Sequence, residues 1–500
     1  MGYDIEGHIL FKLSVCISTV ILFCMRLCPG TQRCLISSIA AKGLNELSWR
    51  CQHLIAGKYL FREMDFEEDS EDELPPGWEE RVTIDGSVYY ANHLTKNTQW
   101  RHPRTGKKKR VAGRLPFGWE RVVSPDGKIV FVNHIDGSTT YTDPRLAFAI
   151  EEKEHVNDFR QRFDASSTAL AVLIGQDLSG KLAIVTGSNS GIGFETARSL
   201  AKHGCTVVFA CRNLPAAEKA IQLICRNEPL NIADNCIPIE LDLCSLDSVV
   251  QFCNTIKSKF QQVDILILNA GVFGLPFSKT WDRLEMTFQV NHLSHFYLTL
   301  LLDPLLVQGS RVVIVSSESH RFANLTLESI TPLTLSPETA RHYWDMTAYN
   351  NSKLCNVLFG RQLAKNLQSR GVSVFSLHPG NMVHSKLSRY WCLYKILFAL
   401  VRPFTKSLQQ AASTSVYCAT APELVGVTGV YFNNCCPCQE SQAAQNEQMA
   451  KLLWNVSIDM VKAVLGKNAP GLDNRRIHIE PQKNVEVTDE IRLNLGNKQD

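Results

Sequence analysis

Tyr349 and Lys353 stand four residues apart in the run Tyr349-Asn350-Asn351-Ser352-Lys353. On a helix that spacing puts both side chains on one face. An ordinary phenol ionises at about 10, too high for easy proton exchange at neutral pH. A neighbouring ammonium and a cofactor's positive charge favour the phenolate and lower that value. Such a tyrosine can give a proton to a carbonyl oxygen during hydride delivery, or take one in reverse. Ser317, after Val313-Ile314-Val315-Ser316, can hold the same oxygen. Asn291, in Val290-Asn291-His292, can position a helix carbonyl and a water for a proton relay to Lys353.

A glycine-rich turn lies upstream: Thr186-Gly187-Ser188-Asn189-Ser190-Gly191-Ile192-Gly193. It follows an apolar strand-like run and precedes a helix predicted to begin near Gly191. Glycines let a backbone approach a pyrophosphate, and a helix N-terminus supplies amide hydrogens and the positive end of a dipole. The turn and the Tyr-Lys pair together, in this order, point to a nicotinamide-dependent oxidoreductase. The second strand ends Ala210-Cys211-Arg212-Asn213, without a carboxylate for a ribose 2′-hydroxyl. Arg212 can pair instead with a 2′-phosphate, which favours NADP(H) over NAD(H). Asp242, after the third strand, sits where an adenine contact is expected. Asn269-Ala270-Gly271, after the fourth, would stiffen the cofactor floor.

These residues need a frame. Candidate strands are 182–186, 206–210, 237–241, 265–269, 311–316 and 372–377, with longer amphipathic stretches between them. Such alternation means right-handed βαβ units in a parallel sheet, an α/β, Rossmann-type, doubly wound fold. The motifs resemble the short-chain dehydrogenase/reductase family over residues 181 to about 465. The resemblance implies a catalytic tetrad of Asn291, Ser317, Tyr349 and Lys353. It also implies cofactor contacts at the turn and at Lys353, with Ser317 touching substrate. His378-Pro379-Gly380 after the sixth strand matches the family too, placing Pro379 and Gly380 where the nicotinamide would rest. An inactive cofactor-binding fold is the alternative, because fold alone never proves turnover. Residues 383–404 carry Tyr390, Trp391, Tyr394, Phe398 and Phe404, where the family has its substrate lid. A lipophilic substrate is therefore expected, such as a steroid, retinoid or aliphatic carbonyl. A membrane-touching segment is the other reading of that stretch.

Before the catalytic motifs the chain repeats itself. Leu74-Pro75-Pro76-Gly77-Trp78-Glu79 returns as Leu115-Pro116-Phe117-Gly118-Trp119-Glu120, and Pro103 returns as Pro144. Every counterpart lies 41 residues on. Asp85-Gly86 and Asp126-Gly127 mark hairpin turns. Two small, all-β, three-stranded units are predicted. In the first, Trp78, Tyr90 and Pro103 form a core, and alternation turns Tyr89, Ala91 and His93 to the other face. Trp100 can join Tyr89 as two parallel aromatic walls that accept proline rings, with His93 taking a tyrosine hydroxyl. This unit resembles the WW domain family, which implies binding of Pro-Pro-x-Tyr peptides. In the second copy Val130 and Tyr141 replace Tyr89 and Trp100. It is expected to fold on Trp119, Phe131 and Pro144, to bind such peptides poorly, and to support the first.

The predicted order is an N-terminal extension with an acidic lead-in (1–73), the first repeat (74–106), a basic linker (107–114) and the second repeat (115–147). A linker (148–178), the reductase domain (179–466) and a polar tail (467–500) follow. The run Lys107-Lys108-Lys109-Arg110 reads equally as a soluble linker or a nuclear import signal. A net charge of +3 gives no whole-protein case for direct nucleic-acid binding. Several of the 17 cysteines sit in apolar strand-like runs, which favours a reducing compartment over disulfides. Cys435-Cys436-Pro437-Cys438 has no matching pair at zinc spacing, so no metal is expected. The apolar run 13–25 is shorter than the roughly 20 residues of a bilayer span and suits a signal-peptide core. Weak or no targeting is expected, with an anchor or an isoform-specific terminus as the alternatives. Two WW-like repeats before a complete reductase domain resemble a family of regulatory oxidoreductases, over roughly residues 70–465. That resemblance implies a cytoplasmic and nuclear protein with Pro-Pro-x-Tyr transcription regulators as partners. It further implies roles in growth control, apoptosis and Wnt signalling. Oligomeric state is left open.

Overall fold

The computed structural model describes residues 74–153, 161–226, 232–380 and 406–478. The N-terminal extension, the aromatic segment 383–404 and the tail beyond 478 lie outside the described residues.

Each repeat is a three-stranded antiparallel sheet. The first is β1 (Trp78–Val82), β2 (Val88–Asn92) and β3 (Asn97–Gln99). The alternation along β2 sorts its side chains as the sequence requires: Val88 and Tyr90 are buried while Tyr89 and Ala91 are half-exposed. Tyr90 is fully buried and meets the His102 ring edge-on at 5.2 Å. His102 also accepts the amides of Arg104 and Thr105 at Nδ1, so one imidazole caps both the core and the closing turn. The second repeat is β5 (Trp119–Val123), β6 (Ile129–Asn133) and β7 (Thr139–Thr140), with Phe131 buried where Tyr90 stands in the first.

The stretch between the repeats is not a free linker. Lys109–Arg110 forms β4, which pairs antiparallel with β8 (Ile150–Glu151), and Lys107 reaches Glu151 at 3.0 Å. Arg145 is buried beside Asp143 and donates to the carbonyls of Ala112, Gly113 and Thr83. One guanidinium thus ties the second repeat to the first. The second repeat in turn rests on the large domain. Arg114 donates to Ser179 O at 2.8 Å, and the Phe117 ring lies against Gly204, where a β-carbon would meet it at 2.8 Å. The 148–178 linker expectation needs correction here. Ala169–Leu173 is a short helix, α1, whose Ala169, Val172 and Leu173 are buried in the core of the large domain.

The large domain holds an eight-stranded sheet in the order β11-β10-β9-β12-β13-β14-β15-β16. Its strands are β9 (Leu182–Thr186), β10 (Thr206–Cys211), β11 (Cys236–Glu240), β12 (Val263–Leu268), β13 (Leu306–Val315), β14 (Ser373–His378), β15 (Val430–Asn433) and β16 (Cys436–Cys438). All pairings are parallel except that of β15 with β16. The six expected strands are present with ends shifted by a few residues; β15 and β16 extend the sheet beyond them. The order reverses between β9 and β12, which opens a crevice at their carboxyl ends. Helices α2 (Gly191–Ala201), α3 (Leu214–Cys225) and α7 (Leu408–Thr420) belong to one face. Helices α4 (Leu246–Lys259), α5 (Ser294–Leu302), α6 (Asp345–Leu367) and α8 (Glu447–Leu465) belong to the other. Helix α5 is buried on every side and mostly apolar, with Phe296 edge-on to Trp454 of α8 at 5.0 Å. Among the described residues no helix is long and apolar enough to cross a membrane.

Candidate active site and peptide groove

The glycine-rich turn occupies the crevice. Gly191 has a φ of +63° and opens α2. Gly193 is needed for space: a β-carbon there would stand 2.6 Å from Gly187 O and closer still to Asn269 Nδ2. That amide donates to Thr186 O at 2.9 Å, so Asn269 fastens the end of β12 to the end of β9. Ser188 departs from a simple cofactor-facing role. Its side chain is buried against Cys211 Sγ at 3.4 Å, which leaves its backbone for a ligand. Asn189 and Ile192 are half-exposed, and Ser190 is exposed with its hydroxyl unused in capping α2.

Arg212 is exposed just beyond β10. Its Nη1 lies 3.9 Å from Cys244 Sγ, which brings it beside the loop of Asp242. Asp242 is half-buried and accepts the Cys244 amide at 3.0 Å, so it shapes that loop while keeping an oxygen for a ligand. On the far side of the crossover, Pro379 is half-exposed and Gly380 has a φ of +108° against Lys406.

The four candidate catalytic residues come from three segments. Tyr349 and Lys353 lie on α6 and are both buried, with Lys353 Nζ 5.5 Å from the Tyr349 ring centre. Nζ donates to Val315 O at 3.0 Å, at the end of β13. Burial pushes its ammonium down to about 8. Ser317 follows β13, and its oxygen accepts the Ser319 amide at 3.2 Å, leaving its proton for a substrate oxygen. Asn291 sits in a π-helical turn, Gln289–Leu293, a form that often marks functional sites. Its side chain is fully engaged by its neighbours, with Oδ1 beside Gly271, close to Lys353 Nζ. It clamps Val272, accepting from N at 2.8 Å and donating to O at 3.0 Å, and also donates to Ser352 Oγ at 3.0 Å. Ser352 donates to Tyr349 O and Ser316 donates to Lys353 O, so two serines lash the tetrad's elements together. Phe273 meets the Tyr349 ring edge-on at 4.7 Å and gives the site an apolar wall. Sequence reasoning missed Phe273, and it missed Thr186 and His295. Thr186 Oγ1 accepts the amides of Asn269 and Ala270 and contacts His295 Nε2. The only sequence signals were a threonine directly before Gly187 and a histidine four residues after Asn291.

In the first repeat Tyr89 and Trp100 do meet, with ring centres 5.9 Å apart. The expectation of parallel walls is corrected: the planes cross at 65°. Trp100 is 55% exposed, consistent with a groove rather than a core position. His93 Nε2 lies 2.7 Å from Glu79 Oε2. A carboxylate can only accept, so Nε2 carries a proton, and Nδ1 is the ring nitrogen left to face a ligand. His134 and Glu120 repeat this pair at 2.8 Å, so the pair alone does not distinguish the copies. The aromatics do. Val130 is half-buried and Tyr141 is 71% exposed, and no second ring stands at Val130 to pair with Tyr141.

Comparison with known proteins agrees with this architecture. The short chain dehydrogenase profile matches residues 181–326, and the WW domain profile matches residues 74–103 and 115–144. WW domain-containing oxidoreductase of Drosophila melanogaster is 55% identical over 395 residues, covering 79% of this chain and 96% of that one. WW domain-containing oxidoreductase of Homo sapiens is 53% identical over 405 residues, covering 80% and 97%. Retinol dehydrogenase 12 of Mus musculus is 39% identical over 286 residues, covering 57% and 87%. A short-chain dehydrogenase domain implies a nicotinamide cofactor, and WW domains suggest proline-rich peptide partners. With its likeness running through both repeats and the large domain, this chain belongs to the WW domain-containing oxidoreductase family.

Proposed function

We propose that the chain is an NADP(H)-dependent reductase of a lipophilic carbonyl, or dehydrogenase of the corresponding alcohol, that is brought to its partners by the first WW repeat. The observation that carries the enzymatic reading is the buried Tyr349–Lys353 pair on α6, facing the end of β13 where Ser317 stands. Gly193 packs on the Gly187 backbone with no room for a side chain, and Gly187 has a φ of +68°, a turn that supports close approach of a dinucleotide. When bound, the nicotinamide supplies or accepts the hydride. Tyr349 gives its phenolic proton to the carbonyl oxygen, and Ser317 holds that oxygen by donating its free proton. Lys353, charged at neutral pH despite its burial, favours the phenolate left on Tyr349. Asn291 keeps the π turn and the Val272 loop in register with α6. Arg212, with no carboxylate beside it at the end of β10, supports NADP(H) over NAD(H). Phe273 and the likeness to a retinol dehydrogenase support a retinoid- or steroid-like substrate.

The exposed Trp100 and its contact with Tyr89 favour capture of Pro-Pro-x-Tyr proteins, transcription regulators of growth control and apoptosis among them. A cytoplasmic and nuclear location belongs to this proposal. Because Lys107 and Arg110 are engaged with Glu151 and Glu152, import through the basic run would require β4 and β8 to part. The test is NADPH oxidation by the purified chain against retinoid, steroid and aliphatic carbonyls, with Tyr349→Phe alongside. Turnover abolished by the substitution supports the enzyme. Tight NADPH binding without turnover would instead leave a cofactor-sensing adaptor acting through the first repeat.

A further inference from the structure

His295 is absent from the tetrad, yet its ring joins the cofactor floor to the π turn. It lies on α5, 2% exposed. Nε2 is 2.9 Å from Thr186 Oγ1, and Nδ1 is 3.2 Å from Asn291 O. Thr186 Oγ1 receives two backbone amides, from Asn269 at 2.9 Å and Ala270 at 3.0 Å. Two donors occupy both of its lone pairs, so its own proton must leave toward an acceptor. The choices are Ile267 O at 3.5 Å and His295 Nε2 at 2.9 Å, and the shorter contact is the better one. Nε2 is therefore an acceptor. In a neutral ring Nδ1 then bears the hydrogen and donates to the carbonyl of Asn291. Burial and the nearby Lys353 charge keep the ring neutral near pH 7, lowering its pKa to about 4. The adjacent His292 takes no part, being held by Asn356 and Ser457.

We infer that His295 is a positioning residue of the reaction: it fixes the Asn291 carbonyl and couples that carbonyl to the Thr186–Asn269–Ala270 cofactor floor. The inference rests on the catalytic reading above, in which the Asn291 segment serves Lys353. It adds a structural consequence. A shift of the floor on cofactor binding reaches the π turn through one rigid imidazole, and not only through the Val272 clamp.

The test uses the full chain with three substitutions. His295→Phe keeps the bulk and removes both bonds. His295→Asn places an amide near the Nδ1 position and can keep the bond to Asn291. His295→Gln places one near Nε2 and can keep the bond to Thr186. Two readouts are taken: kcat for all-trans-retinal with NADPH, and hydrogen exchange of residues 269–273 and 289–293 without substrate. His295→Phe is expected to lose about tenfold in kcat, the scale of one hydrogen bond. It should also exchange faster in both segments, with NADPH affinity within about threefold of the original. His295→Asn should recover most of kcat and the slow exchange at 289–293, and His295→Gln should recover less. Equal losses in the Phe and Asn variants would reduce His295 to a packing residue and overturn the inference. So would unchanged exchange in the Phe variant. If the unsubstituted chain fails to turn over the panel of carbonyls, the catalytic reading fails on that result alone. The exchange pattern still decides whether His295 fixes the carbonyl.

Discussion

Gly193→Ala is the sharpest probe of the cofactor cradle, because the added methyl has nowhere to go. It would meet Gly187 O at 2.6 Å and the Asn269 side-chain amide more closely. The first is backbone of the turn itself and cannot swing aside. The second can move only by giving up its 2.9 Å bond to Thr186 O. Overpacking costs roughly 1–3 kcal/mol, and a lost buried hydrogen bond adds about 1 kcal/mol. The domain should therefore lose roughly 2–4 kcal/mol. At about 2–4 °C per kcal/mol, its melting transition should fall by roughly 4–16 °C. The displaced turn carries the amides that would hold the pyrophosphate in the proposed cradle, so the NADPH dissociation constant should rise at least about tenfold. The assay is titration of nucleotide fluorescence, with a thermal scan in parallel. Gly191→Ala is the control. Its φ of +63° makes alanine strained, yet nothing lies within 4 Å of the new methyl. It should cost about 1–2 kcal/mol of backbone strain without moving Asn269. Wild-type NADPH affinity in Gly193→Ala, or a larger loss of affinity in Gly191→Ala, would refute the argument that close approach shapes this cradle.

Other outcomes follow from the same geometry. Trp100→Ala should weaken binding of a Pro-Pro-x-Tyr peptide by about 30-fold, on the order of 2 kcal/mol, as calorimetry would show. Tyr141→Ala should change peptide binding little, and equal effects would mean that the second copy binds as well. Lys353 has a folded-state pKa lowered to about 8 from an unfolded value of 10.5. Between those values the unfolded chain binds more protons, so this lysine's contribution to stability rises as pH climbs from 8 toward 10.5. The melting temperature of the cofactor-free chain, relative to Lys353→Met, should increase over pH 8–10; a flat difference would count against a buried ammonium. Phe117→Pro restores the residue that the first repeat carries at Pro76 and removes the ring from Gly204. Amides at 176–181 and 203–204 should then exchange faster, and unchanged protection would mean that the second repeat does not rest there.

Much of the sheet was legible because its signals are local. Parallel strands buried on both faces read as apolar runs, and the residues between them carry the helical period. The glycine turn was equally legible, since backbone approach and positive φ demand glycine whatever surrounds them. Tyr349 and Lys353 needed only the helix repeat. What the local signals could not carry was any property set by a distant partner. The basic run 107–110 has the composition of a solvated linker, and only Ile150–Glu151 coming back beside it makes it a strand. Ala169–Leu173 is too short to announce a helix, and it folds as one against α7 and α2. β15 and β16 lie far along the chain from the other strands and add to an edge that only the assembled sheet presents.

The sequence by itself determined the kinds of group available and their local geometry: a phenol and an ammonium on one helix face, glycines where side chains cannot fit, and an aromatic pair in one repeat and not the other. Tertiary structure decided what each of those groups faces. It clamped the Asn291 side chain onto Val272, and crossed the rings of Tyr89 and Trp100 at 65° instead of laying them parallel. It also set His295 between Thr186 and Asn291, although 109 residues separate it from the first. The physical reason is the range of the forces. Dihedral preference and side-chain period act over a few residues, whereas burial and hydrogen-bond satisfaction are settled only when segments remote in sequence close around the same atoms.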